Sequence, residues 1–250
     1  MPLKRWIKGA AGRMGLHIDS DASLPTGVDW LRDVRRSGLV GMAPLCFDVG
    51  ANVGQTVREL KRSWPAAVVH AFEPFSQPRA DLVLVADRMT DVTVVGMALG
   101  AEPGSARVQP REMSVLNSLL PSTAPPSGDP SELIRIETVD RYCGAQGIDS
   151  IEVFKTDTEG YDLDVLRGAD QMLGAQRIAF VHVEVTFFPG NDRNTAFNPV
   201  FELLTISHRY RFLGLYDTHP LHHFNEPNLF CNALFVARER CAQRAPNVLG

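Results

Sequence analysis

The residues whose types and spacing can do chemistry fall in a few short stretches. In Leu45-Cys-Phe-Asp48-Val-Gly50-Ala-Asn52-Val-Gly54-Gln-Thr56, an apolar run ends in a glycine turn. Glycine at 50 and 54 permits backbone dihedrals that a side chain forbids, so a ligand can approach main-chain N–H groups closely. Asp48 stands at the last turn of that run, an awkward place for a carboxylate unless something there needs it. Glu73 ends a second apolar run 25 residues after Asp48, and a carboxylate at that point is the usual grip on ribose hydroxyls. These features describe a nucleotide-type binding turn.

Two later stretches carry charge where a buried strand should be apolar. Lys155, Asp157 and Glu159 alternate, so they share one side if the strand continues that far. Val181, Val183 and Val185 take one side of the next strand, while His182, Glu184 and Thr186 take the other. Burying unpaired charges costs several kcal/mol. These groups must therefore be paired with one another, bound to metal, or placed at the open carboxyl edge where α/β sheets bind ligands. An ion pair of the Lys155–Glu184 kind is the purely structural alternative. The loop histidines His219, His222 and His223 have no cysteine or His-Glu-x-x-His partner pattern, and they read as solvated residues rather than a zinc site. Neither a Gly-x-Ser-x-Gly elbow nor a Walker lysine is present, which argues against a hydrolase or a P-loop NTPase.

The elements that must position these residues alternate between strand and helix. Helical periodicity over Val28 to Ser37 places Trp30, Leu31 and Val34 on one face, with Gly38 as the stop. Strands are predicted at Leu45–Val49, Ala67–Phe72, Val92–Met97, Leu133–Val139, Ile151–Thr156, Ile178–Val185, Tyr210–Leu215 and Leu229–Ala237. Helices are predicted at Gln55–Ser63, Gln77–Asp87, Asp140–Ala145, Tyr161–Leu173 and Pro199–Ser207. Met97-Ala-Leu99 is a candidate wall for a flat base. This alternation argues for a parallel, doubly wound α/β sheet. The last two strands lack a helical crossover and should pair antiparallel at the edge. The Pro- and Gly-rich stretch near 100–130 reads as a loop excursion, with an extra strand at Gly104–Gln109 and a lid candidate at Met113–Leu120.

Phe47-Asp-Val-Gly-Ala-Asn-Val-Gly-Gln-Thr56, Ala71-Phe-Glu-Pro74, Lys155-Thr-Asp-Thr-Glu-Gly-Tyr-Asp162 and Val165-Leu-Arg-Gly-Ala169 stand in this order along the chain. They resemble the motifs of the FkbM family of S-adenosylmethionine-dependent methyltransferases, as do Val181-His-Val-Glu-Val185 and Asn232-Ala-Leu-Phe-Val236. The resemblance covers roughly residues 27 to 238. It implies the class I methyltransferase fold, a Rossmann-like, three-layer α/β/α arrangement of seven mostly parallel strands with an antiparallel last strand. It also implies methyl transfer to a hydroxyl of a sugar, glycan or secondary metabolite. Carried onto this sequence, Asp48, Gly50, Asn52 and Gly54 hold the methionine part of S-adenosylmethionine, Glu73 holds its ribose, and Asp157 and its neighbours face the donor methyl. The family often has aliphatic residues where Thr156 and Thr158 stand here.

A sulfonium methyl is already activated, so the protein must place an acceptor oxygen in line behind it and exclude water. A hydroxyl needs a base or a divalent metal to help remove its proton. His182 and Asp157 are the candidate bases, with Glu184 orienting His182 or sharing Mg²⁺ with Asp157. Lys155 is expected to pair with one of these carboxylates. Hard oxygen ligands suit a Mg²⁺ site built from Asp157 and Glu184.

Composition sets the outer limits. The 250 residues, 44% hydrophobic and 22% charged, suit one well-cored domain. Residues 1–26 form an expected N-terminal segment and 27–240 a single domain. The first 18 residues hold Lys4, Arg5, Lys8 and Arg13 with no acid and no leader-like apolar core, so a frayed or docking segment is expected. A formal net charge of -4 excludes the basic footprint that nucleic-acid binding requires. No transmembrane run is present. The scattered Cys46, Cys143, Cys231 and Cys241 point to buried thiols in a reducing cytoplasmic compartment. Oligomeric state is left open, a homo-oligomer included. The rival readings are an NAD-dependent oxidoreductase, which lacks its Gly-x-Gly-x-x-Gly fingerprint here, and a non-catalytic S-adenosylmethionine-binding module.

Overall fold

Residues 25–108, 131–191, 193–218 and 230–242 are described by the structure, a computed structural model. Residues 1–24 of the expected N-terminal segment, the Met113–Leu120 lid candidate and the loop histidines lie outside them.

The central strands form because their sequences are apolar on both faces. In β1 (Leu45–Val49), β7 (Ile151–Thr156) and β8 (Ile178–Val185) nearly every residue is buried. Phe47, Phe154, Val181 and Val183 pack on one face, against α4 (Val139–Gln146), α5 (Asp162–Arg167), α6 (Asp170–Gly174) and α7 (Phe197–Phe201). Cys46, Val153 and Phe180 pack on the other, against α1 (Trp30–Ser37), α2 (Gln55–Ser63) and α3 (Ser76–Ala86). With β2 (Val68–Phe72), β3 (Val92–Val95), β9 (Tyr210–Tyr216) and β10 (Cys231–Ala237), the sheet has seven strands in the order β3-β2-β1-β7-β8-β10-β9. The five strands from β3 to β8 are parallel, and β10 runs antiparallel to both β8 and β9. This is the seven-stranded, mostly parallel α/β architecture expected from the sequence. The final strand lies inside the sheet, however, and β9 alone forms that edge.

Register puts the polar anomalies in one row. Asp48 pairs with Lys155, Lys155 with His182, and His182 with Leu234. In-register neighbours point to the same face, so three ionisable groups lie side by side across the middle of the sheet. Above His182 sits α1, whose Asp29 cap accepts from the Arg32 N–H at 2.9 Å and whose chain reverses at Gly38, φ 62°.

A second, smaller sheet is signalled in part by the strands expected at Gly104–Gln109 and Leu133–Val139. β4 (Ala98–Leu99), β5 (Gly104–Val108) and β6 (Glu132–Glu137) pair in the order β4-β6-β5. The predicted Val92–Met97 strand therefore ends at Val95, where the chain leaves one sheet for the other. The predicted Tyr161–Leu173 helix is two helices, α5 and α6. The break falls where Gly168 lies on the main chain of Gly100, since a Cβ there would stand 2.0 Å from the Gly100 carbonyl oxygen. The predicted Pro199–Ser207 helix widens to a π-helical turn over Glu202–Ser207, and the Thr205 hydroxyl donates back to the Phe201 carbonyl at 2.7 Å. Among the described residues no helix is long and apolar enough to cross a membrane.

Candidate functional site

At the carboxyl ends of β1, β2 and β7, where open α/β sheets take ligands, the chain encloses a cavity of about 250 Å³. Its first wall is the turn after β1. The Gly50 and Ala51 N–H groups both donate to the Phe72 carbonyl, at 3.0 and 2.9 Å, which bends the chain across the end of β2. Gly50 has φ +82°, and a Cβ there would lie 1.9 Å from the Asp157 carbonyl oxygen, so only glycine fits. Asn52 also takes a positive φ, 46°. Its N–H donates to Glu73 Oε2 at 2.9 Å, while the Phe75 N–H donates to Glu73 Oε1 at 2.9 Å. Burial pushes Glu73 up to about 7, against the pull of those two N–H donors.

The opposite wall is apolar. Phe72, Pro74, Phe75, Met97, Ala98 and Leu99 line it, with Tyr161 beside them. The small sheet buttresses this wall, because Phe75 and Ala98 pack on Ile134 of β6. Such a slot suits a flat aromatic base.

Lys155 and Asp157 complete the lining together with Thr158 and Glu159. The Lys155 ammonium lies 3.1 Å from Asp157 Oδ2 and 3.5 Å from Asp48 Oδ1. The second distance is that of an ion pair rather than a hydrogen bond, and neither oxygen of the fully buried Asp48 has a hydrogen-bond partner among the described residues. Burial pushes the Asp48 carboxyl up while Lys155 opposes it. For Lys155 burial acts downward, but Asp157 and Asp48 outweigh it and the ammonium is held above its usual value. Asn52 Oδ1 and Thr158 Oγ1 are further buried polar atoms without a partner among the described residues. Their place on the cavity fits them to hydrogen-bond a polar ligand.

Beside the cavity, carboxylate oxygens of Asp157, Glu159 and Glu184 lie within 4.8 Å of one another. Glu184 is buried and accepts from the Asn194 amide at 2.6 Å. Arg193 stands 3.8 Å from Glu159, whose φ is +53°. Burial, then the charges of Asp157, Asp162 and Glu159, push Glu184 up to about 9. A trio of this kind can hold or receive a proton next to whatever fills the cavity.

Of the residues singled out in the sequence, Gly50, Asn52, Glu73, Lys155 and Asp157 line the cavity, and Glu184 joins Asp157 at its side. Asp48 and Gly54 are not in the lining. Asp48 lies beneath the floor, and Gly54, φ +83°, caps α2 against Leu82. His182 is not in the lining either. Its ring stacks on Trp30 of α1, centroids 4.1 Å apart and planes 24° apart. Burial and then the Lys155 charge hold its pKa well below the usual imidazole value, and neither ring nitrogen has a hydrogen-bond partner among the described residues. Sequence reasoning missed Tyr161 and Asn194, which act only through their places in space. The positive-φ pair Glu159-Gly160 could have flagged the bend that folds Glu159 back toward Glu184.

None of the curated proteins matches this chain. Among solved structures, the methyltransferase FkbM from Methylobacillus flagellatus KT is 21% identical, with a TM-score of 0.54 over 80% of this chain and 46% of that one. This chain thus spans less than half the length of that relative, and the likeness is one of fold, that of the class I methyltransferases. M. capricolum TrmK, solved with the natural cofactor product S-adenosyl-homocysteine, is 9% identical, with a TM-score of 0.47 over 85% of this chain and 70% of that one. The family model "Methyltransferase FkbM domain" matches residues 48–212, which run from the buried acid of β1 into β9. The chain belongs to the FkbM family of methyltransferases.

Proposed function

We propose that this methyltransferase uses S-adenosylmethionine and methylates a hydroxyl of a sugar, glycan or secondary-metabolite acceptor. The observation that carries the donor assignment is the charge of the cavity. Glu73, Asp157 and Glu159 line it against one cation, Lys155, which is already matched by Asp157 and Asp48. That excess of negative charge favours a sulfonium and disfavours the pyrophosphate of a nicotinamide dinucleotide. Bound there, S-adenosylmethionine supplies an activated methyl group for in-line displacement by the acceptor oxygen.

The residues of this chain do the rest. Glu73 grips the ribose hydroxyls, the apolar wall from Phe72 to Leu99 holds the base, and the Gly50–Asn52 turn with Thr158 meets the amino-acid portion. Lys155 holds the Asp157 carboxylate in place. Asp157 takes up the proton that the acceptor hydroxyl loses, beside the Glu184 carboxyl group that Asn194 fixes at 2.6 Å. The acidic trio repels phosphate, which with the net charge of -4 argues against a nucleic-acid acceptor. The four free thiols suit a cytoplasmic setting.

A divalent cation between Asp157, Glu159 and Glu184 is the second reading, favoured by the 4.8 Å clustering of their oxygens. The fit is poorer. Lys155 at 3.1 Å, Arg193 at 3.8 Å and the Asn194 amide already engage the three carboxylates in turn.

Calorimetric titration tests the donor. Micromolar binding of S-adenosylmethionine with no heat from NAD is expected, and the reverse result sinks the assignment. A panel of glycosides and hydroxylated metabolites, screened by mass for the gain of one CH₂, tests the acceptor. The same screen run with EDTA and with added Mg²⁺ decides between the two readings of the trio.

A further inference from the structure

Asp162 has no part in the chemistry described above, yet it is fully buried at the start of α5. Its Oδ1 accepts from the Thr156 hydroxyl at 2.7 Å and from the Thr158 N–H at 3.0 Å. Its Oδ2 accepts from the Thr195 hydroxyl at 3.1 Å. One carboxylate therefore joins the end of β7 and the cavity-lining turn that follows it to a segment that returns from the end of β8.

That returning segment is closed upon itself. The Thr186 N–H donates to the Thr195 carbonyl at 2.8 Å, and the Phe197 N–H donates to the Thr186 carbonyl at 2.9 Å. The Asn191 amide donates to Asn194 Oδ1 at 2.8 Å, and Asn194 in turn holds Glu184. The segment thus carries the residue that fixes one member of the acidic trio. The turn on the other side of Asp162 carries the other two, Asp157 and Glu159.

We propose that Asp162 is a positioning residue through which filling of the donor cavity is transmitted to the segment carrying Thr186–Asn191 and Arg193–Thr195. The inference rests on the donor reading given above. A ligand that draws in Thr158 must either stretch a hydrogen bond to a buried carboxylate or carry Asp162, and with it Thr195, along. Leaving a buried charged acceptor without its donor is the costlier alternative. The two segments consequently respond together to the donor, through the one carboxylate they share.

Hydrogen exchange with S-adenosylhomocysteine as the probe tests this without any acceptor. In the unmodified protein, amides of residues 157–160 and of 186–196 are both expected to slow on addition of the probe, by on the order of tenfold. In Thr195→Val, which keeps the shape and loses the hydroxyl, the probe still binds but slows exchange only at 157–160. Thr195→Ser regains protection of both segments, which a purely structural role for residue 195 would not produce. Thr195→Ala, which loses the same hydroxyl with less bulk, serves as the second uncoupled variant. Protection confined to 157–160 in the unmodified protein, or protection of both segments in Thr195→Val, overturns the inference. Calorimetry on the unmodified protein reads the donor assignment separately, since absence of binding there removes the assignment and the inference with it.

Discussion

Oδ2 of Asp157 stands 3.1 Å from the Lys155 ammonium, and the same ammonium is the nearest cation to the wholly buried Asp48, at 3.5 Å. One lysine thus serves a carboxylate of the cavity lining and another beneath its floor. Its removal strands Asp48 in an apolar setting. Lys155→Met is expected to lose about 3–5 kcal/mol of stability in urea unfolding, the range for breaking one partner out of a buried pair. Adding Asp48→Asn to that variant should recover much of the loss. A single variant as stable as the parent would mean that Asp48 carries no charge in the folded state.

The stack of His182 on Trp30 leads to the opposite expectation. His182 is held neutral, makes no hydrogen bond to a described residue from either ring nitrogen, and lies outside the cavity lining. His182→Leu should therefore match or slightly exceed the parent in thermal stability, since it removes two buried unsatisfied atoms. Donor affinity and turnover should stay within a few-fold. A loss of turnover of about 100-fold with donor binding intact would restore His182 to the role of general base.

Gly50 and Gly190 share a left-handed backbone, φ +82° and +85°, but differ in their surroundings. A Cβ on Gly190 meets nothing within 4 Å, so Gly190→Ala should cost only backbone strain, roughly 1–2 kcal/mol. A Cβ on Gly50 meets the Asp157 carbonyl oxygen at 1.9 Å, and the ends of β1 and β7 must part to admit it. Gly50→Ala should exceed about 4 kcal/mol or yield no folded protein, and any folded fraction should fail to bind S-adenosylhomocysteine in a titration.

Among the buried acids, which include Asp48 and Asp162, Glu73 and Glu184 contribute to the pH dependence of stability over defined windows. Glu73 is pushed from 4.5 to about 7 and Glu184 from 4.5 to about 9, burial being the largest cause in each. Between 4.5 and those values the folded chain binds more protons than the unfolded one, so their contribution falls as pH rises. It is fully present below pH 4.5, and the decline ends near pH 7 for Glu73 and near pH 9 for Glu184. Urea midpoints measured from pH 5 to pH 10 should show this fall. In Glu184→Gln the decline should end near pH 7, and an unchanged curve would contradict the raised value assigned to Glu184.

Much of this site is legible in the sequence because its chemistry is local. The limits of Leu45–Val49, Ile151–Thr156 and Ile178–Val185 follow from predominantly apolar, β-branched and aromatic runs, and the structure keeps them. Gly50 and Glu73 are one strand–turn–helix–strand unit, so their meeting follows from spacing alone. The features that sequence does not reveal depend on contacts between distant segments. The small sheet needs Ala98–Leu99 to find Ile136–Glu137. The division of the helix at Gly168 needs the Gly100 main chain beside it. His182 stands out as functional because a polar residue in a buried strand is conspicuous, and nothing nearby in the sequence indicates that Trp30 lies across it.

The insertion of β10 between β8 and β9 has a consequence for how the chain emerges from the ribosome. Until residues 231–237 are available, β8 is an open edge of eight buried residues, among them Glu184. An unpaired, largely apolar edge invites pairing with another chain. The donor half of the cavity, built from β1, β2 and β7, can close early in synthesis, whereas the strand bearing Glu184 gains its second neighbour last. Nascent chains stalled before residue 231 should therefore bind the donor product yet aggregate through β8.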